Sequence, residues 1–591
     1  MRSLIYPSFI LLIGIIVFRQ SFLFDLFIIG GEGNYFLDFT NYIQIFKYPW
    51  MSKWGMGYFN PLISGTGYNI FILSFFERII DNKLLVNQIL YFSIFTLPAI
   101  SMFYFLNYFK INKFANFLIS LFYIYNPFSL DYLHQFNQWT NTSLIFFPLM
   151  FLILSIQFNS KFVFFLIIFC FFNIISFSFA NPPTFLIYAI GACVYLFVID
   201  FTRNNFDFRK YLLSLIIIFL ALFISNFYWI YNLLINISSS GIIDQMYSEE
   251  TKSRYLFTIL KNSGPIISQL FSFVFLGSDQ PNYDTNYSII FKSVYFKVGI
   301  SVLVISVIFY NLFTKDKRAI FFSASTILFL YFSKGLYQPL TSLYLYLYEY
   351  FPLFSMFKTP TEKFGLLYVI FFIISLAFFS KNINSKIFNI IFIPVIIVLL
   401  YIPITKGVIS PYQLQLKDTH KVDRLIKLDK DFFKTIEVIN NLEEDRRVLI
   451  LPGMYNYQLF LNINDSLYSG LDPILNNTNK DYVEFSHKVF NPSVEKIYSV
   501  FEKENLSNDE YKENVIKKLF DKNICYIVIY KNVENLFGIY NEPSNIIYFS
   551  TIFRNDLIYE NEFMQLYDLC KYNYNLQEVY TKEKLNAEFI F

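Results

Sequence analysis

The sequence predicts a mainly α-helical, multi-pass membrane protein with an α/β domain in the C-terminal part of the chain. Three observations carry that reading. Long apolar runs recur through roughly the first four hundred residues. Every second connection between them is short and basic. After Ile404 charged residues become frequent and the apolar runs shrink to strand length. Of the 591 residues, 55% are hydrophobic and only 15% are charged, and mean hydropathy is +0.44. A soluble domain carries roughly a quarter charged residues. Runs of this length mean membrane spans and not one very large core.

The first element is "MRSLIYPSFILLIGIIVFRQ", a basic tip followed by an apolar stretch. No small-residue cleavage site follows, so it reads as an uncleaved first span. Further apolar segments recur near 84–108, 114–127, 143–157, 162–179, 184–200, 211–235, 295–313, 319–332, 364–380 and 387–405. With the first, that makes about eleven transmembrane helices, several of them shorter than the roughly 20 residues a straight span uses. With a cytoplasmic N-terminus, the cytoplasmic connections carry "KINK" (110–113), Lys161, "RNNFDFRK" (203–210), "KDKR" (315–318) and "KNINSK" (381–386). All are short and basic, as the positive-inside rule asks. The loops 19–83, 128–142, 236–293 and 333–363, and everything beyond about 406, then face outward. The expected domains are a transmembrane unit, 1–405, and an extracytoplasmic α/β unit, 406–591. In the latter, "DKDFFKTIEVINNLEEDRRVLILPG" and "NDEYKENVIKKLFDKNICYIVIYKNV" each read as an amphipathic helix followed by a buried strand, Val448 to Leu451 and Ile524 to Tyr530. "NEFMQLYDL" reads as another strand.

Several function classes fall away. A net charge of +3 is too small for a nucleic-acid binder, and no basic helix or RNA-binding motif is present. Three histidines and no C-x-x-C spacing argue against a zinc site. No Walker motif suggests ATP as a driver. The 22% aromatic content accompanies heavy use of Ile, Asn and Lys, a bias of A+T-rich coding, and is not read as a sugar-binding signature. Cys525 and Cys570 both fall in the polar tail, where pairing is open to them.

The outward loops hold the candidate chemistry. In the first, Gly30, Gly31 and Gly33 flank Glu32, and Asp38 follows. Glycines let a backbone approach a ligand, and a partly shielded carboxylate can serve as general base; a solvated acid in a glycine turn is the plainer alternative. The same loop continues as "WMSKWGMGYFNP", where Trp54, Tyr58 and Asn60 suit a sugar or lipid headgroup, though interfacial aromatics are expected in any case. The next outward loop adds Asp131 and His134, and the long loop 236–293 adds Arg254 around "GPIISQLFSFVFLG", too short to span. Finally, "FSMFKTPTEKFG" sets Lys358, Glu362 and Lys363 around Thr359-Pro360-Thr361 just before a span. Cations at a proline-marked helix start suit an anionic phosphate; anchoring at lipid headgroups is the alternative.

Together these stretches resemble integral-membrane GT-C glycosyltransferases of the α-(1→3)-arabinofuranosyltransferase type and the related YfhO-type membrane proteins. The resemblance rests on "GGEGNYFLD", "WGMGYFNP", "NFYWIYNLL", "LFSMFKTPTEKF", "RVLILPG" and "KKLFDKNICYIVIY". It departs from the family pattern at Glu32, where an Asp is usual, and at Lys358, where an Arg is usual. It implies a polyprenyl-phosphate sugar donor, an extracytoplasmic glycan, lipid or protein acceptor, and contact with membrane lipid. Glu32, Asp38 or Asp131 would be the general base. Lys358, Lys363 and Arg254 would bind the donor phosphate; Trp54, Tyr58, Asn60 and His134 would face acceptor or sugar. The residues specify no cofactor and leave a divalent metal open. A lipid or polysaccharide transporter, which predicts charges at mid-membrane, and a non-catalytic envelope-assembly protein are the rival readings.

Overall fold

A computed structural model describes residues 4–29, 50–51, 58–59, 67–134, 138–156, 160–175, 182–202, 206–239, 256–260, 263–272, 288–291, 293–351, 354, 357–407, 414–416, 420–422, 425–443, 446–452, 459–463, 466–470, 472–483, 497–501, 507–531, 533 and 543–572. The chain divides into two compact units. One comprises 1–28 with 61–421, the other 29–60 with 422–591.

In the first unit, each apolar segment of the sequence falls in a helix: Ile5–Val17, Lys83–Asn107, Lys113–Tyr125, Gln138–Ser155, Lys161–Ile174, Pro182–Phe201, Phe208–Ser239, Val294–Leu312, Lys317–Ser333, Pro360–Asn382 and Ser385–Lys406. Among the described residues, six helices are long and apolar enough to cross a membrane, and shorter apolar helices accompany them. Polar caps mark many of the starts. Asn82 accepts from the Leu85 N–H, Asn112 from Phe114, Ser160 from Val163, Asp316 from Arg318 and Asn384 from Lys386. Such caps satisfy donors that a first helical turn otherwise leaves unpaired. The charges on these eleven helices stand near their ends, none at mid-helix.

The Pro360–Asn382 helix is the core of this unit. Every residue from Pro360 to Ser380 is buried. The Lys317–Ser333 helix runs antiparallel along it, joined by ring contacts Phe332–Phe364 at 5.2 Å, Phe329–Phe371 at 5.0 Å and Phe322–Phe378 at 5.6 Å. Between the rings, Asn311 donates to the Ser375 carbonyl at 2.8 Å. On the other side, Phe151 stacks on Tyr195 at 4.2 Å and Phe147 on Tyr188 at 4.1 Å.

A helix of this length spans about 35 Å, so its two ends face different environments. At the C-terminal end, Lys381 donates to the Phe109 carbonyl at 3.4 Å, Tyr310 to the Asn382 carbonyl at 3.1 Å, and Arg318 lies 5.7 Å from the centre of the Phe378 ring. The basic connections around Lys110, Lys317 and Lys381 therefore gather at one end of the bundle. The "FKTPTEKF" stretch stands at the other. Helices away from the core expose large apolar side chains, Phe162 at 72% and Ile390 at 73% among them, the surface that lipid covers.

The second unit holds the two predicted helix–strand pairs. The Lys430–Asn440 helix, capped by Asp429, leads to the strand Arg447–Leu451. The Asn508–Phe520 helix, opened by a Ser507/Glu510 capping box, leads to Ile524–Tyr530, buried throughout. These strands lie parallel, with Tyr482–Val483 parallel beyond the first. Met564–Asp568 and Leu557–Glu560 extend the sheet antiparallel on the far side. Cys525 and Cys570 form a disulfide. Beside this sheet Asp556 is fully buried, with Lys571 at 2.8 Å, Lys512 at 3.0 Å and the Tyr572 hydroxyl at 2.6 Å. A hairpin, Leu459–Ile463 with Ser466–Gly470, lies in a separate sheet.

Candidate active site

The start of the Pro360–Asn382 helix is built by local chemistry. Pro360 occupies the first helical position, where its missing N–H costs nothing. The Thr359 side chain does not cap the helix backbone; its hydroxyl donates to Glu362 Oε2 at 2.7 Å. The other oxygen of Glu362 receives the Lys363 ammonium at 2.6 Å, with side chains 11% and 8% exposed respectively. An acid in a first turn is favoured by the helix dipole, and a cation there is not. Glu362 therefore does two things: it complements the helix end, and it pairs with Lys363 in a buried place. Lys358, half-buried, precedes Thr359.

The antiparallel neighbour brings a further cation. Lys334 caps the C-terminus of the Lys317–Ser333 helix and is fully buried. Its ammonium donates to the Gly335 carbonyl at 3.1 Å and to the Tyr337 carbonyl, and lies 4.8 Å from the Tyr331 ring centre. Burial pushes this ammonium below its ordinary range. A cation at a helix C-terminus is favourable, so Lys334 organises the turn that follows. Gly335 adopts φ +62°, and a Cβ there would meet Ser263 Oγ at 2.0 Å and Pro360 Cγ at 2.8 Å. Glycine lets this turn press against the start of the neighbouring helix.

Segments from the 236–293 and 333–363 connections close the corner. Thr361 donates to the Ser333 carbonyl at 3.1 Å. Gln269, on the short helix Ile266–Ser272, donates to that same carbonyl at 2.8 Å and accepts from the Ser333 hydroxyl. The "GPIISQLF" segment is thus a seven-residue helix docked on the bundle, not a span. Gly264 donates to the Lys334 carbonyl, and the Ser263 hydroxyl accepts from the Leu336 N–H. Ile259, Tyr344 and Tyr348 form an apolar cluster beneath, with Phe332 and Phe354 packed on it. Among the described residues, the corner carries Lys334, Lys358 and Lys363 with the acid Glu362. Its net positive charge and partly shielded setting suit an anion such as a phosphate.

Lys358 and Lys363 flank the start of the Pro360–Asn382 helix, Lys358 half-buried before it and Lys363 buried in its first turn. Gln269 and Lys334 are additions that no sequence motif singles out. Asp131 and His134 belong to the Pro127–His134 helix, which starts at the buried Asn126, whose side chain accepts from the Ser129 N–H at 3.0 Å. Tyr58 lies on a strand, Tyr58–Phe59, paired with Trp50–Met51. The side chains of Asp131, His134 and Tyr58 are outside the described residues, as are Glu32, Asp38, Trp54, Asn60 and Arg254 altogether. Among the described residues no cluster of His, Cys, Asp and Glu suits a metal ion.

The architecture of helices and sheets has a counterpart among solved structures. The fold resembles that of the mycobacterial arabinofuranosyltransferase AftD, a GT-C glycosyltransferase. The cryo-EM structure of AftD from Mycobacteria aligns over 96% of this chain with a TM-score of 0.57 and 10% identity. A mutant of AftD aligns equally well in one conformational class, TM-score 0.57, and with a TM-score of 0.50 in another. This chain spans about two fifths of the length of AftD, 39% in the first comparison. No family model and no curated relative matches the sequence. The protein is thus a multi-pass, mainly α-helical membrane protein with a GT-C-like fold and a sheet-containing C-terminal region.

Proposed function

We propose that this protein is a membrane glycosyltransferase that moves a sugar from a polyprenyl-phosphate-linked donor to an extracytoplasmic glycan, lipid or protein acceptor. The observation that carries the reading is the cationic corner at the start of the buried Pro360–Asn382 helix, set in a fold shared with AftD. In such a transfer the acceptor hydroxyl attacks the anomeric carbon, and the bond from that carbon to the phosphate oxygen breaks. The leaving polyprenyl phosphate takes the electron pair, and the hydroxyl proton passes to a carboxylate. Lys358 and Lys363 would neutralise the phosphate as its charge develops. Glu362 and Gln269 would hold that corner in place. The base is assigned to Glu32, failing which Asp38 and then Asp131. Trp54, Tyr58, Asn60 and His134 are the proposed acceptor-side residues, and Arg254 a further phosphate ligand.

The N-terminus is assigned to the cytoplasm and the C-terminal domain to the outside, because the connections gathered at the Lys381 end are the basic ones. Transport is disfavoured by the span helices themselves, whose charges stand near their ends. The test is mass spectrometry of lipids retained by the purified protein, followed by incubation of that lipid class with acceptor. Retention of a polyprenyl-phosphate sugar, with release of polyprenyl phosphate on adding acceptor, is the expected result. Retention without release would favour a non-catalytic role.

A further inference from the structure

At the end of the bundle away from Lys363, four helix ends enclose a cavity of about 240 Å³. The helices are Gln138–Ser155, Lys161–Ile174, Pro182–Phe201 and Phe208–Ser239. Its place follows from two contacts. A Cβ on Gly191 would meet Leu367, while Tyr195 packs on Phe322, which packs on Phe378. The Pro182–Phe201 helix therefore descends toward the Lys381 end, and its last residues lie there. The cavity wall is mostly apolar, Leu196, Leu213 and Ile217 included, and its polar lining is Lys161, Asp200, Lys210 and Ser214. Asp200 is 9% exposed.

Two features define a ligand. Among the described residues, two lysines and one aspartate give the lining a net charge of +1, which complements a phosphodiester bearing a single negative charge. The wall around those charges is hydrocarbon, and it continues onto the outer surface of the bundle. There Leu166, Leu212 and Ile216 are 46%, 46% and 47% exposed. A soluble anion would leave that wall unused. A lipid would cover it and place its headgroup at the helix ends, where lysines meet phosphates of the surrounding leaflet.

We propose that this crevice binds a glycerophospholipid of the leaflet at the Lys381 end, its phosphodiester at Lys161 and Lys210 and an acyl chain along Leu196 and Ile217. The site is separate from the candidate active site and stands at the opposite end of the core helix. Bound lipid would tie together the ends of these four helices.

The experiment is native mass spectrometry of the full chain in detergent, titrated with phosphatidylglycerol, with melting temperature read in parallel. The variants are Lys161→Gln/Lys210→Gln, which removes the charge, and Leu213→Trp, which fills the crevice and keeps it. The lysine variant should weaken the tightest phosphatidylglycerol adduct about tenfold or more, at least the effect of losing one charge-assisted hydrogen bond. Leu213→Trp should weaken it about as much by excluding the acyl chain, and both should abolish the lipid-induced rise in melting temperature. Diacylglycerol, which lacks the phosphate, and glycerophosphate, which lacks the chains, should each bind at least tenfold more weakly to the wild type. Equal phosphatidylglycerol binding by wild type and both variants overturns the site. Equal binding of diacylglycerol overturns its phosphate recognition, and equal binding of glycerophosphate overturns its lipid character.

Discussion

Replacing Glu362 by Gln tests the reading of the cationic corner through its energetics. The substitution keeps the shape of the side chain and an acceptor for the Thr359 hydroxyl, but removes the charge that meets Lys363 at 2.6 Å. Lys363 would then be a buried cation at the positive end of a helix with no carboxylate beside it. Breaking a buried pair from one side costs roughly 3–5 kcal/mol. Here the Lys363 and Glu362 side chains keep 8% and 11% exposure, so some water reaches the orphaned ammonium. That places the expected cost at the lower end, about 3 kcal/mol. The Glu362→Gln/Lys363→Gln double variant removes the orphan too, and is expected to recover about 2 kcal/mol of that loss. The assay is reversible unfolding by SDS titration in mixed micelles, wild type against the two single variants and the double. A Glu362→Gln cost below about 1 kcal/mol, with no recovery in the double variant, would refute the claim that the Glu362–Lys363 pair stabilises the corner.

Other outcomes follow from the same structure. Gly335→Ala places a Cβ where Ser263 and Pro360 already stand, in a left-handed backbone; it is expected to destabilise by about 1–3 kcal/mol and to weaken donor binding, read by titration of the purified protein. In the C-terminal unit, burial pushes the Asp556 carboxyl up, but hydrogen bonds from Lys571, Tyr572 and Lys512 together hold it below its ordinary value of 3.8. A depressed carboxyl gives stability that is present above the unfolded pKa and lost as pH falls through the folded one. Hydrogen exchange in the Ile524–Tyr530 strand should accelerate as pH drops below about 4, and Asp556→Asn should remove that dependence and cost about 1–3 kcal/mol. The Cys525–Cys570 bridge closes a 45-residue separation, worth about 4 kcal/mol in a chain-entropy account. In intact cells both thiols should resist labelling until a reductant is added. Labelling of both without reductant would contradict an oxidised, extracytoplasmic domain.

The helices were legible in the sequence because apolar runs give each one its body. Their starts at the caps Asn82, Asn112, Ser160 and Asp316 came only with the structure. The helix–strand pairs of the C-terminal unit were legible for a similar reason, since the amphipathic Lys430–Asn440 and the buried Ile524–Tyr530 differ in hydrophobic period. The candidate site was legible only in part. "FKTPTEKF" announces itself because charge and proline interrupt an apolar background. Lys334 does not, since a lysine after a span reads as an anchor. Gln269 does not either, because its meaning lies in a Ser333 partner 64 positions away. Convergence of that kind is a property of the packing, and no local pattern encodes it.

The central claim is that this protein transfers a sugar from a lipid phosphate at the Lys363 corner. The most direct measurement is sugar transfer by the protein reconstituted in lipid nanodiscs, with a labelled polyprenyl-phosphate sugar and a glycan acceptor. Wild type should release polyprenyl phosphate in proportion to glycan labelled. Lys363→Gln should lose about 1.5–3 kcal/mol of donor binding, roughly ten- to hundredfold in affinity, with the fold intact. Full transfer by Lys358→Gln and Lys363→Gln alike would contradict the assignment of the corner. Absence of any transfer by wild type with the lipid sugar it co-purifies with would contradict the enzyme itself.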